Sequence, residues 1–160
     1  MAYPVKTAAV TVTFTSSSVQ SVPTSKPNSV GNNLSVFLLN ATSLAKPNAV
    51  QLLYTELVQL DCDCALITET WYTKKHQDTL VGIPNYTLFR RDRLRGKGGG
   101  VCAYVRSSLT CSVFVPGVGA QSRVNDVEIL WLDCTLHDCH YFVACCYHPP
   151  KPKYNYSVFY

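Results

Sequence analysis

No run of apolar residues in this chain approaches the roughly 20 needed to cross a bilayer as a helix. The N-terminal Ala8-Ala9-Val10 is interrupted at once by threonines, so no secretory signal is expected either. Paired Cys-x-x-Cys motifs are missing too. Cys134, His137, Cys139 and His140 form one local cluster without a matching second half, so a closed tetrahedral zinc site is not expected. Gly98-Gly99-Gly100 lacks a Gly-Lys-Ser/Thr ending and leads into strand-forming residues, which excludes a P-loop. These absences predict an intracellular protein, nuclear or cytoplasmic, that is neither secreted nor membrane-bound.

The 160 residues present are one domain's worth, and 47% of them are hydrophobic, enough to build a core. A formal charge of +4 and a pI near 8.6 are mildly basic, compatible with a polyanionic partner without requiring one. Eight cysteines would suit a disulfide framework in a small secreted chain. Here most of them lie in or beside apolar runs, where a reduced cysteine acts as a small hydrophobe. A small disulfide-bonded secreted protein is the weaker reading, and a free-thiol count near eight would exclude it.

The chain reads most clearly around Asp61 to Tyr72. Cys64-Ala65-Leu66-Ile67 suits a strand buried on both faces, and it breaks into Thr68-Glu69-Thr70-Trp71. Glu69 is either the start of a solvated loop or a carboxylate fixed by a rigid strand end. Upstream, residues 1–32 show no sustained period and read as a disordered or poorly specified tail, with the domain proper at 33–160. Leu34 to Leu39 predicts a strand ending at Asn40. Val50, Leu53, Tyr54, Leu57 and Leu60 share one helical face, with Asn48 as a candidate cap and Gln51 as its capping-box partner. Strand, helix, strand makes a crossover unit, so the first two strands are expected to be parallel neighbours.

The region from Trp71 to Pro84 reads as loop. Strands are expected at Tyr86–Arg90 and Val101–Val105, joined by a basic loop carrying Arg90, Arg91, Arg93, Arg95 and Lys97 with Asp92 opposing them. That loop is either a solvated surface or a contact for a phosphate backbone. The three glycines are read as sites of close backbone approach. Further strands are expected at Cys111–Val115, Glu128–Thr135 and Tyr141–Tyr147, the last two as an antiparallel hairpin. Tyr147-His148-Pro149-Pro150 stops the final strand.

Four stretches occur in a distinctive order: Asn40-Ala41-Thr42-Ser43-Leu44, Ile67-Thr68-Glu69-Thr70-Trp71, Phe89-Arg90-Arg91-Asp92-Arg93 with Gly98-Gly99-Gly100-Val101, and Tyr147-His148-Pro149-Pro150. Together they resemble the endonuclease/exonuclease/phosphatase superfamily. They are most similar to the endonuclease domain of non-LTR retrotransposons of the jockey or CR1 type, from about Leu34 to Pro150. The resemblance implies an α/β fold: part of a four-layer α/β/β/α sandwich with mixed sheets, DNase I-like, lacking its C-terminal half. It implies Mg²⁺ or Mn²⁺ held by Glu69, with Asn40 orienting metal and phosphate and Tyr147 donating a hydroxyl near the scissile bond. Set against these roles, Asn40 would be a turn residue before the helix and Tyr147 an aromatic packed on prolines.

The implied partner is DNA, contacted through Arg90, Arg91, Arg93, Arg95 and Lys97; a small-molecule substrate is not expected. His148 departs from the family, where arginine is usual. The family's Asp-x-Asn and Ser-Asp-His motifs are absent before Tyr160, so the general base is missing and this chain is expected to be inactive as it stands. An uncovered sheet face is expected to promote association. The alternative function is a non-catalytic retroelement remnant that binds nucleic acid through the basic loop.

Overall fold

The computed structural model describes residues 10–13, 34–94, 96–115, 128–136 and 139–147. The described strands in chain order are β1 (Val10–Thr13), β2 (Val36–Asn40), β3 (Cys64–Thr68), β4 (Tyr86–Arg91), β5 (Val101–Arg106), β6 (Thr110–Val113), β7 (Glu128–Leu136) and β8 (Cys139–Tyr147). Helix α1 (Ala49–Leu60) joins β2 to β3, and a single turn, α2 (Asp78–Val81), precedes β4. The expected β2–α1–β3 crossover is present: β2 and β3 pair in parallel, with Val36 opposite Cys64 and Asn40 opposite Thr68. One sheet runs β2-β3-β5-β4 and the other β1-β8-β7-β6, so the fold is mixed α/β with two sheets.

Strand alternation divides the core in two. On β3, Ala65 and Ile67 face the helix side with Leu53, Leu57, Cys102 and Tyr104. Cys64 and Leu66 face the other way and meet Val101, Ala103, Leu132 and Val143 between the sheets. All five β3 residues are buried, because both faces of this central strand are covered. Three layers are therefore described: helix, sheet and sheet. The fourth layer implied by the resemblance does not fall among the described residues. No helix among them is long and apolar enough to cross a membrane.

Four expectations are corrected here. Asn48 is not a side-chain cap: it sits at φ 63° in the left-handed region and makes no capping bond. A side-chain cap requires extended backbone at that position, so Asn48 instead offers its carbonyl, which accepts Leu52 N at 3.0 Å. Gln51 has no capping box to complete. The stretch between Trp71 and Pro84 contains α2, too short to show periodicity. Residues Val10–Thr13, inside the segment read as a tail, pair in parallel with Val143–Cys146 of β8. The other residues expected to form that tail lie outside the described residues. Several strand ends also shift slightly; β8 begins at Cys139, earlier than the apolar run suggested.

Helix α1 is held by few residues. Leu57 is fully buried and Leu53 nearly so, whereas Leu52 and Val58 are exposed. Leu57→Ala is expected to cost about 3 kcal/mol, since both transfer energy and an unfilled cavity count against it. A lower urea midpoint with an unchanged slope would show this, and Leu52→Ala should barely move the midpoint.

Candidate active site

Beyond the C-terminal ends of β2 and β3 the chain segments stay zipped together. Ala41 N donates to Thr68 O at 2.9 Å, Ser43 N to Glu69 O at 2.7 Å and Leu44 N to Thr70 O at 2.9 Å. On the other side, Thr70 N donates to Gly100 O at 3.3 Å and Trp71 N to Gly99 O at 2.8 Å. Keeping these bonds while turning forces unusual backbone. Thr42, Ser43, Glu69 and Trp71 all have positive φ, as do Gly98, Gly99 and Gly100. For non-glycine residues this conformation costs roughly 1–2 kcal/mol each. Strain of this kind collects where a site must be held in one geometry.

Glu69 stands at the centre of this knot. Its Oε2 accepts Trp71 Nε1 at 2.5 Å and Gly99 N at 3.2 Å. The Tyr147 hydroxyl, from the end of β8 in the other sheet, faces the same carboxylate and favours its charged form. Burial pushes the Glu69 carboxyl up, but the donors Tyr147, Trp71 and Gly99, with Arg93 nearby, outweigh it and hold the group below its ordinary range. Glu69 is therefore ionised at neutral pH. The Tyr147 hydroxyl is pushed up, first by burial and then by its bond to Glu69.

A second carboxylate lies beside the first. Glu128 opens β7 directly opposite Tyr147 and is buried. One of its oxygens accepts Arg93 Nε, and the other accepts Gly100 N at 2.7 Å. Two adjacent amides of the glycine turn are thus capped by carboxylates, Gly99 by Glu69 and Gly100 by Glu128. The Arg93 guanidinium fills the space where a Gly99 side chain would be and lies 5.8 Å from the Tyr147 ring centre. The three glycines do provide close approach: Gly98 packs on the Trp71 indole and the Glu69 carboxylate, and Gly100 on Thr70.

Asn40 ends β2 opposite Thr68, which places it on the same strand-end surface as Glu69. Its Oδ1 accepts Thr42 N at 3.3 Å, a turn contact. Asn40, Glu69 and Tyr147 therefore share one end of the two sheets. The basic residues divide. Arg90 is anchored internally, to Asp92, to Asp78 at 2.9 Å, and to the carbonyls of His76 at 2.6 Å and Thr73 at 3.0 Å. Its guanidinium is also stacked over Tyr72. Arg90 is thus engaged in locking the β4 end and is not presented to a partner. Arg93 is committed to Glu128 and to Lys97 O at 3.2 Å. Arg91 is exposed although its Nη1 reaches Ile129 O at 2.9 Å, and Lys97 is exposed. Arg95 and His148 lie outside the described residues.

Sequence reasoning missed Glu128 and Trp71 as members of this site. A signal for Glu128 existed. Glu128, Leu130, Leu132 and Cys134 share one strand parity, and a carboxylate on an otherwise apolar inner face needs a partner. The seven described cysteines whose side chains are placed are free thiols. No group of three metal-ligating side chains occurs among the described residues. Of the two carboxylates Glu128 is paired with Arg93, which leaves Glu69 as the one with no ion pair among the described residues. A hard carboxylate oxygen of this kind could hold a magnesium-like cation, which keeps most of its waters, and does not by itself suit zinc.

No protein-family model and no curated protein matches the chain. Among solved structures, it is similar to a D. rerio TDP2 humanized by 14 mutations, at 15% identity and a TM-score of 0.47, over 71% of this chain and 49% of that one. It is also similar to D. rerio TDP2 complexed with a single-strand DNA product, at 16% identity and a TM-score of 0.46, over 69% of this chain and 44% of that one. This chain therefore spans less than half the length of the structures it matches.

Proposed function

We propose that this chain carries the metal- and phosphate-binding part of a DNA phosphodiesterase of the DNase I-like superfamily, of the retrotransposon endonuclease type. The observation that supports it is the approach of the Tyr147 hydroxyl to the Glu69 carboxylate, each shifting the titration of the other, which brings together two motif residues far apart in sequence across the two sheets. Both stand in the motifs that carry the family resemblance. Glu69, ionised and held by three donors, would bind Mg²⁺ or Mn²⁺ with Asn40 beside it. When bound, such a cation stabilises negative charge on a phosphate and its leaving oxygen. The chain's own contribution is to orient the Glu69 carboxylate through Trp71 and Gly99 and to aim the Tyr147 hydroxyl at the same spot. Exposed Lys97 and Arg91 supply positive charge for the DNA backbone.

A non-catalytic nucleic-acid binder is the second reading, and one feature favours it. Asp133 and His140, 3.2 Å apart, form a His–carboxylate pair at the opposite end of the β7–β8 hairpin. His140 lies seven residue steps from Tyr147 along β8, roughly 23 Å, so this pair does not serve the Glu69 site as a base. Incubating the chain with supercoiled plasmid and Mg²⁺ or Mn²⁺ separates the readings. Nicking that a chelator abolishes supports the phosphodiesterase. Retention of DNA without nicking, lowered in Lys97→Ala and indifferent to chelator, supports the binder.

A further inference from the structure

Two of the free cysteines face each other across the edge of the second sheet. Cys111 on β6 is the register partner of Cys134 on β7. Phe114 N donates to Trp131 O at 2.9 Å, so this opposing pair is a hydrogen-bonded one. Hydrogen-bonded and non-hydrogen-bonded pairs alternate along an antiparallel ladder. Counting back along the register, Val113–Leu132 is non-bonded, Ser112–Asp133 bonded and Cys111–Cys134 non-bonded. Non-bonded pairs bring opposing Cα atoms to about 4.5 Å, inside the roughly 4.4–6.8 Å range that disulfides span. The two thiols face each other closely enough that each shifts the titration of the other.

The geometry points to a reversible cross-strand disulfide between Cys111 and Cys134, formed with a low-molecular-weight disulfide such as oxidised glutathione. This inference is independent of the nuclease reading. The Cys111 side is reachable: the residue is half-buried on β6, the edge strand, while Cys134 is buried behind it. The pair shares its protons. The Cys111 thiol donated to Cys134 holds Cys134 below the ordinary thiol range and pushes Cys111 up, so the first thiolate of the pair forms early. The charge is shared between the two sulfurs, and the reachable one, Cys111, attacks one sulfur of glutathione disulfide and expels one glutathione as thiolate. The second cysteine then loses its proton and attacks the protein-bound sulfur, which expels the other glutathione. Two protein thiols are oxidised and one glutathione disulfide is reduced to two glutathiones.

The other cysteines with described side chains lack this arrangement. Cys145 and Cys146 are consecutive on β8 and point to opposite faces, and Cys64 meets Cys134 only across the gap between sheets. The product would tie the edge strand β6 to β7, the strand that carries Glu128.

The test is to hold the full chain in oxidised glutathione under native conditions, alkylate the remaining thiols, and map the peptides by mass spectrometry. The expected result is one cross-link, Cys111 to Cys134, that dithiothreitol reverses and that is absent in Cys111→Ser. Cys62→Ser should form it as the native chain does. A cross-link between any other pair, a stable glutathione adduct at Cys111, or all thiols remaining free would overturn the proposal. Because mapping is done on the unaltered chain, a poorly folding variant does not blur the outcome.

Discussion

Glu69→Gln is expected to lower metal-dependent plasmid nicking about a hundred- to a thousandfold, the usual loss when one group that stabilises the reacting charge is removed. Glutamine keeps the shape and can still accept from Trp71 and Gly99, so the fold should survive. What it loses is the negative charge a divalent cation requires. DNA retention through Arg91 and Lys97 should persist, because those residues do not touch Glu69. A variant that nicks as fast as the parent would sink the assignment of Glu69 as metal ligand. The same substitution has a signature in stability. The folded carboxyl lies below its unfolded value, so it contributes stability that is present above an unfolded pKa of about 4.3 and lost as pH falls through the lower folded value. In the Gln variant that part of the acid sensitivity should vanish. Thermal melts of both proteins from neutral pH down into the acid range would reveal it as converging midpoints.

Gly100→Ala is expected to destabilise the protein by about 3 kcal/mol, combining left-handed strain with overpacking. Gly100 has φ +82°, and a Cβ there would lie 2.5 Å from Thr70 Oγ1. Thr70 cannot yield easily. It is fully buried, and its hydroxyl accepts Tyr72 N at 3.4 Å. Gly100 also donates to Glu128 and accepts from Thr70 N, so displacement would loosen the turn that supports Glu69. Gly96→Ala provides the control. Gly96 has φ +86° but nothing within 4 Å of its would-be Cβ, leaving about 1 kcal/mol of backbone strain alone. Urea denaturation of the two variants should therefore differ by the contact term. Equal losses would mean that Thr70 relaxes and the turn is less rigid than its bonds indicate.

Much of this protein is legible in its sequence. Alternation and apolar runs located β2 through β8 to within a few residues, because side-chain period and burial are local properties of a strand. The crossover through α1 implied parallel β2 and β3, since a helix between strands has few other ways to return. Glu69 stood out because a charge that ends a fully apolar run must sit where the core stops. The tertiary structure decided who meets whom. That Tyr147 meets Glu69, that Glu128 caps Gly100 and anchors Arg93, and that Arg90 is locked to Asp78 are contacts between segments distant along the chain. No local period encodes them. The Asn48 cap failed for a related reason: its backbone conformation was set by the chain's turn into α1, not by the preference of its side chain. Residue type and spacing determined the strands, the helix and the carboxylate at a strand end. The convergence of two sheets at one end, where desolvation and donor geometry are set by distant neighbours, determined which charges are held inside and which remain for a partner.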